Sequence, residues 1–257
     1  MTIQEMKKRK QEKGYSYARM AELSGVPLGT IQKIFSGETV NPRYDTLQAL
    51  EQLFTEGKKR VQEESVYLVD SGHTQGSYTV DDYRALPDEQ RVELIDGYFY
   101  DMAAPGFLHQ RIGGEIYRQI ANFIIDRGGS CQPLISPIDI QLDCDEKTMV
   151  QPDVAILCHE DKVKKWGVYG APDFVLEVIS PSTKRKDYTK KLNKYMEAGV
   201  REYWILDPYQ KKLLVYFFES EICPVIHGLD HPVPVGIYHG ELVIELSHIA
   251  AWIEKEE

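Results

Sequence analysis

Two carboxylates lie inside apolar segments of the sequence that read as strands. Asp153 stands in MVQPDVAIL, and Glu177 stands in FVLEVIS. A buried carboxylate without a partner is costly, so a sequence that keeps one in a strand provides a partner for it, commonly a metal ion. Mg²⁺ prefers one or two carboxylates together with water and phosphate oxygens. The pair therefore predicts a Mg²⁺ site, with Mn²⁺ as second choice, and the alternative is a pair of structural carboxylates satisfied by Arg or Lys.

A basic segment follows the second acid, and its pattern predicts a helix over residues 183–199. Lys191 falls on the apolar face of that helix, where its stem can be buried and its ammonium delivered to the acids. There it would polarise the attacking water and stabilise phosphate charge. Lys184 and Lys186 fall in the first turn, are expected to face solvent or DNA phosphate, and remain the alternative catalytic cations. The plainer interpretation is a solvated helix face with an Asp187–Lys191 salt bridge.

The elements that must position these residues alternate over residues 78–257, which is the pattern of a mixed α/β domain built on a central sheet. Asp96-Gly97 between two apolar runs is a strong hairpin signal. The segment Phe107–Arg127 has apolar residues at helical spacing and predicts a long helix. The further predicted strands are Gln132–Ile135, Ile138–Leu142, Val150–Leu157, Phe174–Ile179, Tyr203–Leu206 and Leu213–Phe218.

Residues 1–56 read as a set of short helices that ends in a helix over residues 44–54. Gly25 allows a tight turn and Pro27 suits the first turn of a helix, so two short helices meet in helix-turn-helix geometry. In that geometry the second helix enters the major groove, where Gln pairs with adenine and Lys reaches guanine or phosphate. The residues expected to contact DNA are Thr30, Gln32 and Lys33. The alternative is a helical bundle used for protein contacts or dimerisation.

Charge and composition limit the class of protein. The 257 residues carry a formal net charge of −10, divided as +4 in residues 1–60 and −14 in the rest, which favours two modules with different partners. Residues 57–77, with charge, Gly and Ser, are expected to be a linker. The longest apolar run, Leu213–Phe218, is far too short to cross a bilayer, and no signal peptide is recognised, so no membrane partner is expected. The four cysteines form no CxxC pair, which predicts reduced thiols in a cytoplasmic protein.

Longer motifs run through both modules. In the first, the small residue Ala21, the turn at Gly25 and Asn41-Pro42 lie within a segment, residues 16–54, that closely resembles the XRE (Cro/repressor-like) helix-turn-helix family. The motifs of the second are ELIDGYFYDMAAPGFLHQ at Glu93–Gln110, Pro152-Asp153, EVISPST at Glu177–Thr183, Asp187-xxx-Lys191 and GVREYWILDP at Gly199–Pro208. Over roughly residues 78–250 this pattern resembles the Uma-two family of bacterial endonucleases, in the PD-(D/E)XK restriction-endonuclease-like superfamily.

The second resemblance implies a restriction-endonuclease-like fold and metal-dependent hydrolysis of DNA phosphodiesters. It assigns Asp153 to the motif Asp and Glu177 to the motif acid, and it implies that Val178 offers its backbone carbonyl to the metal. The superfamily's lysine stands two residues after the acid, but Ile179 occupies that place here. The resemblance therefore points to Lys191, in the following helix, as the lysine.

Glu93 and His109 fit the same resemblance as additional site residues. It implies that Glu93 binds a second metal or its water and that His109, near the start of the long helix, contacts phosphate. The alternatives are an ordinary edge-strand glutamate and an ordinary histidine at a helix start.

The leading hypothesis is a Mg²⁺-dependent endonuclease that acts on double-stranded DNA and is guided by its own helix-turn-helix. The misplaced lysine favours an alternative, a repressor- or antitoxin-like regulator whose nuclease-like domain is inactive, whereas the retained acid pair opposes it. A metal-dependent nuclease acting on RNA is a third hypothesis. Analogy with repressors and DNA nucleases adds the expectation of a homodimer.

Overall fold

The chain folds as two units, Met1–Tyr67 and Leu68–Glu257, and the division falls within the linker predicted over residues 57–77. The computed structural model describes residues 3–12, 16–24, 26–37, 39, 42, 46–47, 49–50, 72–87, 89–181, 183–220 and 224–256. The turn predicted at Gly25, much of the helix predicted over residues 44–54 and most of the predicted linker lie outside these residues.

Short helices build the first unit around a small apolar core. They include α1 (Ile3–Glu12), α2 (Tyr17–Ser24) and α3 (Leu28–Ser36), and residues 46–47 and 49–50 are also helical. Pro27 directly precedes α3, and Gly37 ends it with a positive φ of 91°, a conformation that favours glycine. The buried residues are Met6, Met20, Val26, Ile31, Ile34, Phe35 and Leu50. Two short helices therefore meet as the sequence predicts, with one side of α3 buried.

Strands and helices alternate along the second unit. The strands are β1 (Val92–Ile95), β2 (Tyr98–Asp101), β3 (Gln132–Ile135), β4 (Ile140–Gln141), β5 (Met149–Val150), β6 (Val154–Leu157), β7 (Val163–Lys164), β8 (Gly167–Tyr169), β9 (Phe174–Val178), β10 (Glu202–Asp207), β11 (Lys212–Phe217), β12 (Val225–Gly228), β13 (Val233–Pro234) and β14 (Val243–Ile244). The helices are α4 (Val80–Arg84), α5 (Phe107–Asp126), a π-helix (Lys186–Lys191), α6 (Leu192–Ala198) and α7 (Ser247–Glu254), with 3₁₀ turns at Glu160–Lys162 and Gly236–Tyr238. No helix among the described residues is long and apolar enough to span a membrane.

The strands form two large sheets, where the sequence predicts one central sheet. One has the order β2-β1-β5-β4-β8-β7 and the other the order β12-β11-β10-β9-β6-β3, and β13 pairs with β14. The predicted hairpin at Asp96-Gly97 joins β1 and β2. The predicted strand Val150–Leu157 is split, because residues 151–153 leave the first sheet at β5 and enter the second at β6. Asp153 therefore lies just before a strand of the second sheet.

The second sheet separates the two helices that carry site residues. Side chains alternate between the faces of a strand, so Leu176 and Val178 pack with Ile112 and Ile116 of α5. Val175 and Ile179 belong to the other face, where residues of α6 also pack. Glu177 shares that second face. Since β9 and β10 are parallel, the π-helix and α6 form the crossover between them and bring cationic residues to Glu177.

Helix α5 contains two consecutive glycines, Gly113 and Gly114, in its interior. Glycine in a helix interior costs roughly 1 kcal/mol relative to alanine. The helix nevertheless runs unbroken over 20 residues, because its apolar stripe is buried against the sheet.

One cysteine pair contradicts the expectation of reduced thiols. Cys131 and Cys158 form a disulfide. They lie opposite each other across β3 and β6, one position beyond the pair Gln132 and Leu157. Their separation of 27 residues gives no sequence signal, because strand register alone brings them together. Cys144 is free and exposed, and Cys223 lies outside the described residues.

Candidate active site

Three of the predicted site residues meet in one buried cluster. The Lys191 Nζ lies 2.6 Å from Glu93 Oε1 and 2.7 Å from Glu177 Oε1. All three side chains are at most 5% exposed. Glu93 comes from β1 of the first sheet, Glu177 from β9 of the second, and Lys191 from the crossover. The ammonium therefore pairs with two carboxylates from different sheets, and these two ion pairs hold the Lys191 side chain in place.

The π-helix explains how a second lysine joins this cluster. Lys186 Nζ contacts Glu93 Oε2, so two lysines five residues apart hold one carboxylate. In an α-helix, with 3.6 residues per turn, such residues point in different directions, whereas the wider π turn stacks them. The expectation that Lys186 faces solvent or DNA was wrong, since its side chain is only 12% exposed. Lys184 pairs instead with Asp207 at 3.1 Å.

Asp153, His109 and Val178 meet beside this cluster. Asp153 Oδ2 accepts a hydrogen bond from the Val178 backbone N–H at 2.7 Å, and His109 Nε2 lies 3.3 Å from the same oxygen. Val154 of β6 is paired with Leu176 of β9. Asp153 therefore stands next to Glu177 at the point where this strand pairing ends, while His109 reaches it from the first turn of α5.

Burial and charge together set the protonation of the cluster. Burial raises the pKa of Glu93, but Lys191 and Lys186 outweigh burial and lower it to about 2. Burial raises the pKa of Glu177 well above its usual range, and the charge of Asp187 adds to this effect. Burial lowers the pKa of Lys191, but the surrounding carboxylates overcome it and raise the pKa. Lys191 is therefore an ammonium ion at neutral pH, suited to stabilising negative charge and not to acting as a base.

The environment of His109 also favours its charged form. Burial lowers the pKa of the imidazole, but the hydrogen bond and charge of Asp153, together with the Val178 carbonyl, raise it above the usual value. The side chain keeps 20% exposure, so it can meet a ligand that approaches from solvent. An imidazole with a raised pKa at this position is suited to contact with phosphate.

Two further residues complete the cluster without having been predicted as site residues. The Tyr195 hydroxyl donates a hydrogen bond to Glu177 Oε1 at 2.7 Å. Asp187 lies 3.9 Å from Lys191, and its buried Oδ1 has no hydrogen-bond partner among the residues that the structure describes. Burial raises the pKa of Asp187 to about 6. The available sequence signal is helical spacing, because both residues lie four positions from Lys191.

The donor chemistry of this site fits a divalent cation. Asp153 and Glu177 supply hard carboxylate oxygens from neighbouring strands, which is the protein contribution that Mg²⁺ usually receives. In the part of the chain that the structure describes, no three His, Cys, Asp or Glu side chains form a metal cluster. The protein thus offers few ligands here. An ion held by the two acids and the Val178 carbonyl would complete its coordination with water and substrate oxygens.

A small, shallow cleft lies beside Asp153 and His109. It lies between α5, at Gly113 and Gly114, and the end of β3, at Ser136. The cleft is thus continuous with two of the predicted site residues and is open to solvent on its outer side.

The predicted DNA-contacting residues lie on the outer side of α3. Gln32 and Lys33 are exposed and Thr30 is half-buried, whereas Ile31, Ile34 and Phe35 are buried. The side chains of Gln32 and Lys33 are therefore accessible from solvent.

The two sheets, the crossover helix and the acid pair define a restriction-endonuclease-like fold. The chain belongs to the Uma-two family, described as "Putative restriction endonuclease", whose model matches residues 80–234. A second family model, described as "Helix-turn-helix", matches residues 6–55. Both predicted resemblances and the predicted fold class are confirmed.

A solved structure supports the fold. It is a crystal structure from Anabaena variabilis ATCC 29413, described as a putative nuclease belonging to DUF820. The two chains are 21% identical and superpose with a TM-score of 0.56, over 68% of this chain and 98% of the other. No curated protein matches the chain.

Proposed function

We propose that this protein is a Mg²⁺-dependent endonuclease that hydrolyses phosphodiester bonds of double-stranded DNA and is targeted by its own helix-turn-helix. The observation that carries the proposal is the Lys191 ammonium, fixed between Glu93 and Glu177 beside Asp153. A buried ammonium held between two glutamates is suited to stabilising the negative charge that develops on a phosphate. Mn²⁺ is the alternative ion.

Each residue has one role in this proposal. Asp153, Glu177 and the Val178 carbonyl hold the metal ion, which when bound supplies Lewis-acid stabilisation and an activated water. Lys191 stabilises the charge on the phosphate oxygens, and His109 contacts the phosphate from the exposed side. Glu93 holds Lys191 in place, which replaces the metal-binding role that the resemblance implied for it.

The domain roles follow the same proposal. Residues 1–56 bind DNA through Thr30, Gln32 and Lys33, residues 57–77 connect the modules, and residues 78–257 cleave. Because the proposed substrate is DNA, the proposed location is the cytoplasm. A homodimer is proposed by analogy with other DNA-acting proteins.

One sequence feature favours a second candidate, a DNA-binding regulator with an inactive nuclease-like domain. Ile179 stands where the superfamily lysine is expected, and it is buried in the core. Against this candidate, Lys191 reaches the motif acid Glu177 from the crossover.

Incubation of supercoiled plasmid with the full chain separates the two candidates. The nuclease proposal expects nicked or linear product with Mg²⁺ or Mn²⁺, none with EDTA, and none with Glu177→Gln. The regulator expects plasmid binding without cleavage under every metal condition. A parallel arm with structured RNA tests the third hypothesis, since cleavage of RNA alone would contradict a DNA substrate.

A further inference from the structure

The pair Gly113-Gly114 faces the cleft beside Asp153 and His109. Glycine weakens a helix interior because the unfolded chain loses more conformational freedom than it does with alanine. Two glycines in succession within α5 therefore need a reason, which is either packing or something that binds there.

Packing does not provide the reason. A Cβ atom built on Gly113 or Gly114 would meet no atom within 4 Å. Other glycines are different: a Cβ on Gly97 would lie 2.7 Å from the Gly76 carbonyl oxygen, and one on Gly167 would lie 2.2 Å from that of Asp139. The fold therefore requires glycine at those positions but accepts alanine at 113 and 114.

Gly113 is buried although its missing Cβ leaves open space. That space opens into the cleft, whose other residues include His109, Ser136 and Asp153. Because glycine has no side chain, the backbone of α5 is accessible at the point where the cleft reaches the proposed catalytic residues. A ligand in the cleft can approach this helix more closely than any side chain would permit.

We infer that this cleft seats the sugar–phosphate strand of the nucleic acid next to the scissile phosphate, with Gly113 and Gly114 providing the clearance. The inference rests on the proposed function and names positioning residues for it. The cleft is continuous with Asp153 and His109, and the Ser136 hydroxyl and Gln110 amide lining it can donate hydrogen bonds to phosphate or sugar oxygens. DNA and RNA share this backbone chemistry.

The test uses the full chain with Gly113→Ala and Gly114→Ala. The control is Asn122→Ala, an exposed residue farther along the same helix that is not among the cleft residues. Thermal unfolding and steady-state cleavage of a fluorescein-labelled DNA duplex with Mg²⁺ are measured, and an RNA duplex of the same sequence forms a second arm. We expect each glycine variant to melt roughly 2–4 °C higher. We also expect its KM to rise about tenfold, with a smaller change in kcat, while the control retains the wild-type KM.

Two results would overturn the inference. A lower melting temperature in the glycine variants would mean that the glycines are structural, and an unchanged KM would mean that the strand does not use the cleft. If the wild type cleaves neither nucleic acid, the proposed function fails. The cleft is then judged by anisotropy of the same duplexes in a Gln32→Ala/Lys33→Ala background: weaker binding by the glycine variants supports it, and equal binding rejects it.

Discussion

Lys191 is an ammonium ion surrounded by the carboxylates of Glu93, Glu177 and Asp187. Burial of a single charge is unfavourable, but these partners and their hydrogen bonds compensate for it. With all three acids ionised, the cluster has three negative charges against the two positive charges of Lys186 and Lys191. A bound proton or cation would balance the difference. A divalent ion at the neighbouring acids would supply that charge.

Replacing Lys191 by Met tests the role of the ammonium. We expect kcat to fall about 10²–10³-fold, the usual effect of removing one charge-stabilising group. The free energy of unfolding should fall by about 3–5 kcal/mol, because the carboxylates lose their partner. Single-turnover cleavage by protein kept below its unfolding transition separates the two effects. Lys165→Met, at an exposed lysine, is the control, and wild-type cleavage by Lys191→Met would remove Lys191 from the mechanism.

The lowered pKa of Glu93 predicts a pH dependence of stability. The carboxylate has a pKa of 4.5 when unperturbed and about 2 in the fold, so the unfolded state binds the proton first as pH falls. The stabilisation is complete above pH 4.5 and is lost progressively towards pH 2. Urea unfolding over this range should show a steeper loss for the wild type than for Glu93→Gln. Parallel curves for the two proteins would contradict the ion pairing.

Asp153 and Glu177 are conspicuous in the sequence, because each is a single carboxylate within an apolar segment, and the structure places them side by side where β6 and β9 pair. Lys191 could be selected because it lies on the apolar face of a basic helix. The contact of Lys186 with Glu93 could not be predicted, since the expected periodicity is that of an α-helix. Only the π turn brings Lys186 and Lys191 to one carboxylate. Tyr195 is a buried aromatic residue of the kind that sequence patterns place in a core, but its hydroxyl donates a hydrogen bond to Glu177.

At the scale of elements, α3 presents an outer face that carries Gln32 and Lys33. If it is a recognition helix, the two residues have separable effects. Gln32→Ala should lower the preference for the best sequence by about 1–3 kcal/mol, because base discrimination comes from its amide. Lys33→Ala should weaken binding to all sequences and reduce the salt slope of log K by about 1. Anisotropy titrations with specific and random duplexes at several salt concentrations measure both, and equal affinities for all variants would indicate a protein-interaction bundle.

The elements themselves were more predictable than their assembly. The hairpin at Asp96-Gly97 and the long helix from Phe107 follow from local signals, and both are present. The division into two sheets depends on which strands pair across long stretches of chain, which hydrophobic alternation does not encode. The Cys131–Cys158 disulfide arises from the same long-range register.

At the scale of the whole molecule, the charges divide between a basic first part and an acidic remainder, +4 in residues 1–60 against −14. An acidic second unit repels DNA at long range, so a basic helix-turn-helix would raise the local concentration of this unit at a DNA substrate. Deleting residues 1–67 should therefore raise KM for DNA about tenfold or more at low salt, with kcat nearly unchanged. Steady-state cleavage at increasing salt checks this, and an unchanged KM would show that the first unit does not deliver the nuclease to DNA.

The central claim is that the Asp153 site cleaves DNA with the help of a metal ion. The most direct measurement is cleavage of supercoiled plasmid with Mg²⁺ or Mn²⁺ by wild type, by Asp153→Ala and by Asp126→Ala, which changes an exposed aspartate at the end of α5. We expect wild type and Asp126→Ala to produce nicked and linear plasmid at equal rates, and Asp153→Ala, with its fold confirmed by circular dichroism, to produce none. Cleavage by Asp153→Ala at the wild-type rate, or no cleavage by the wild type with either ion, would contradict the claim.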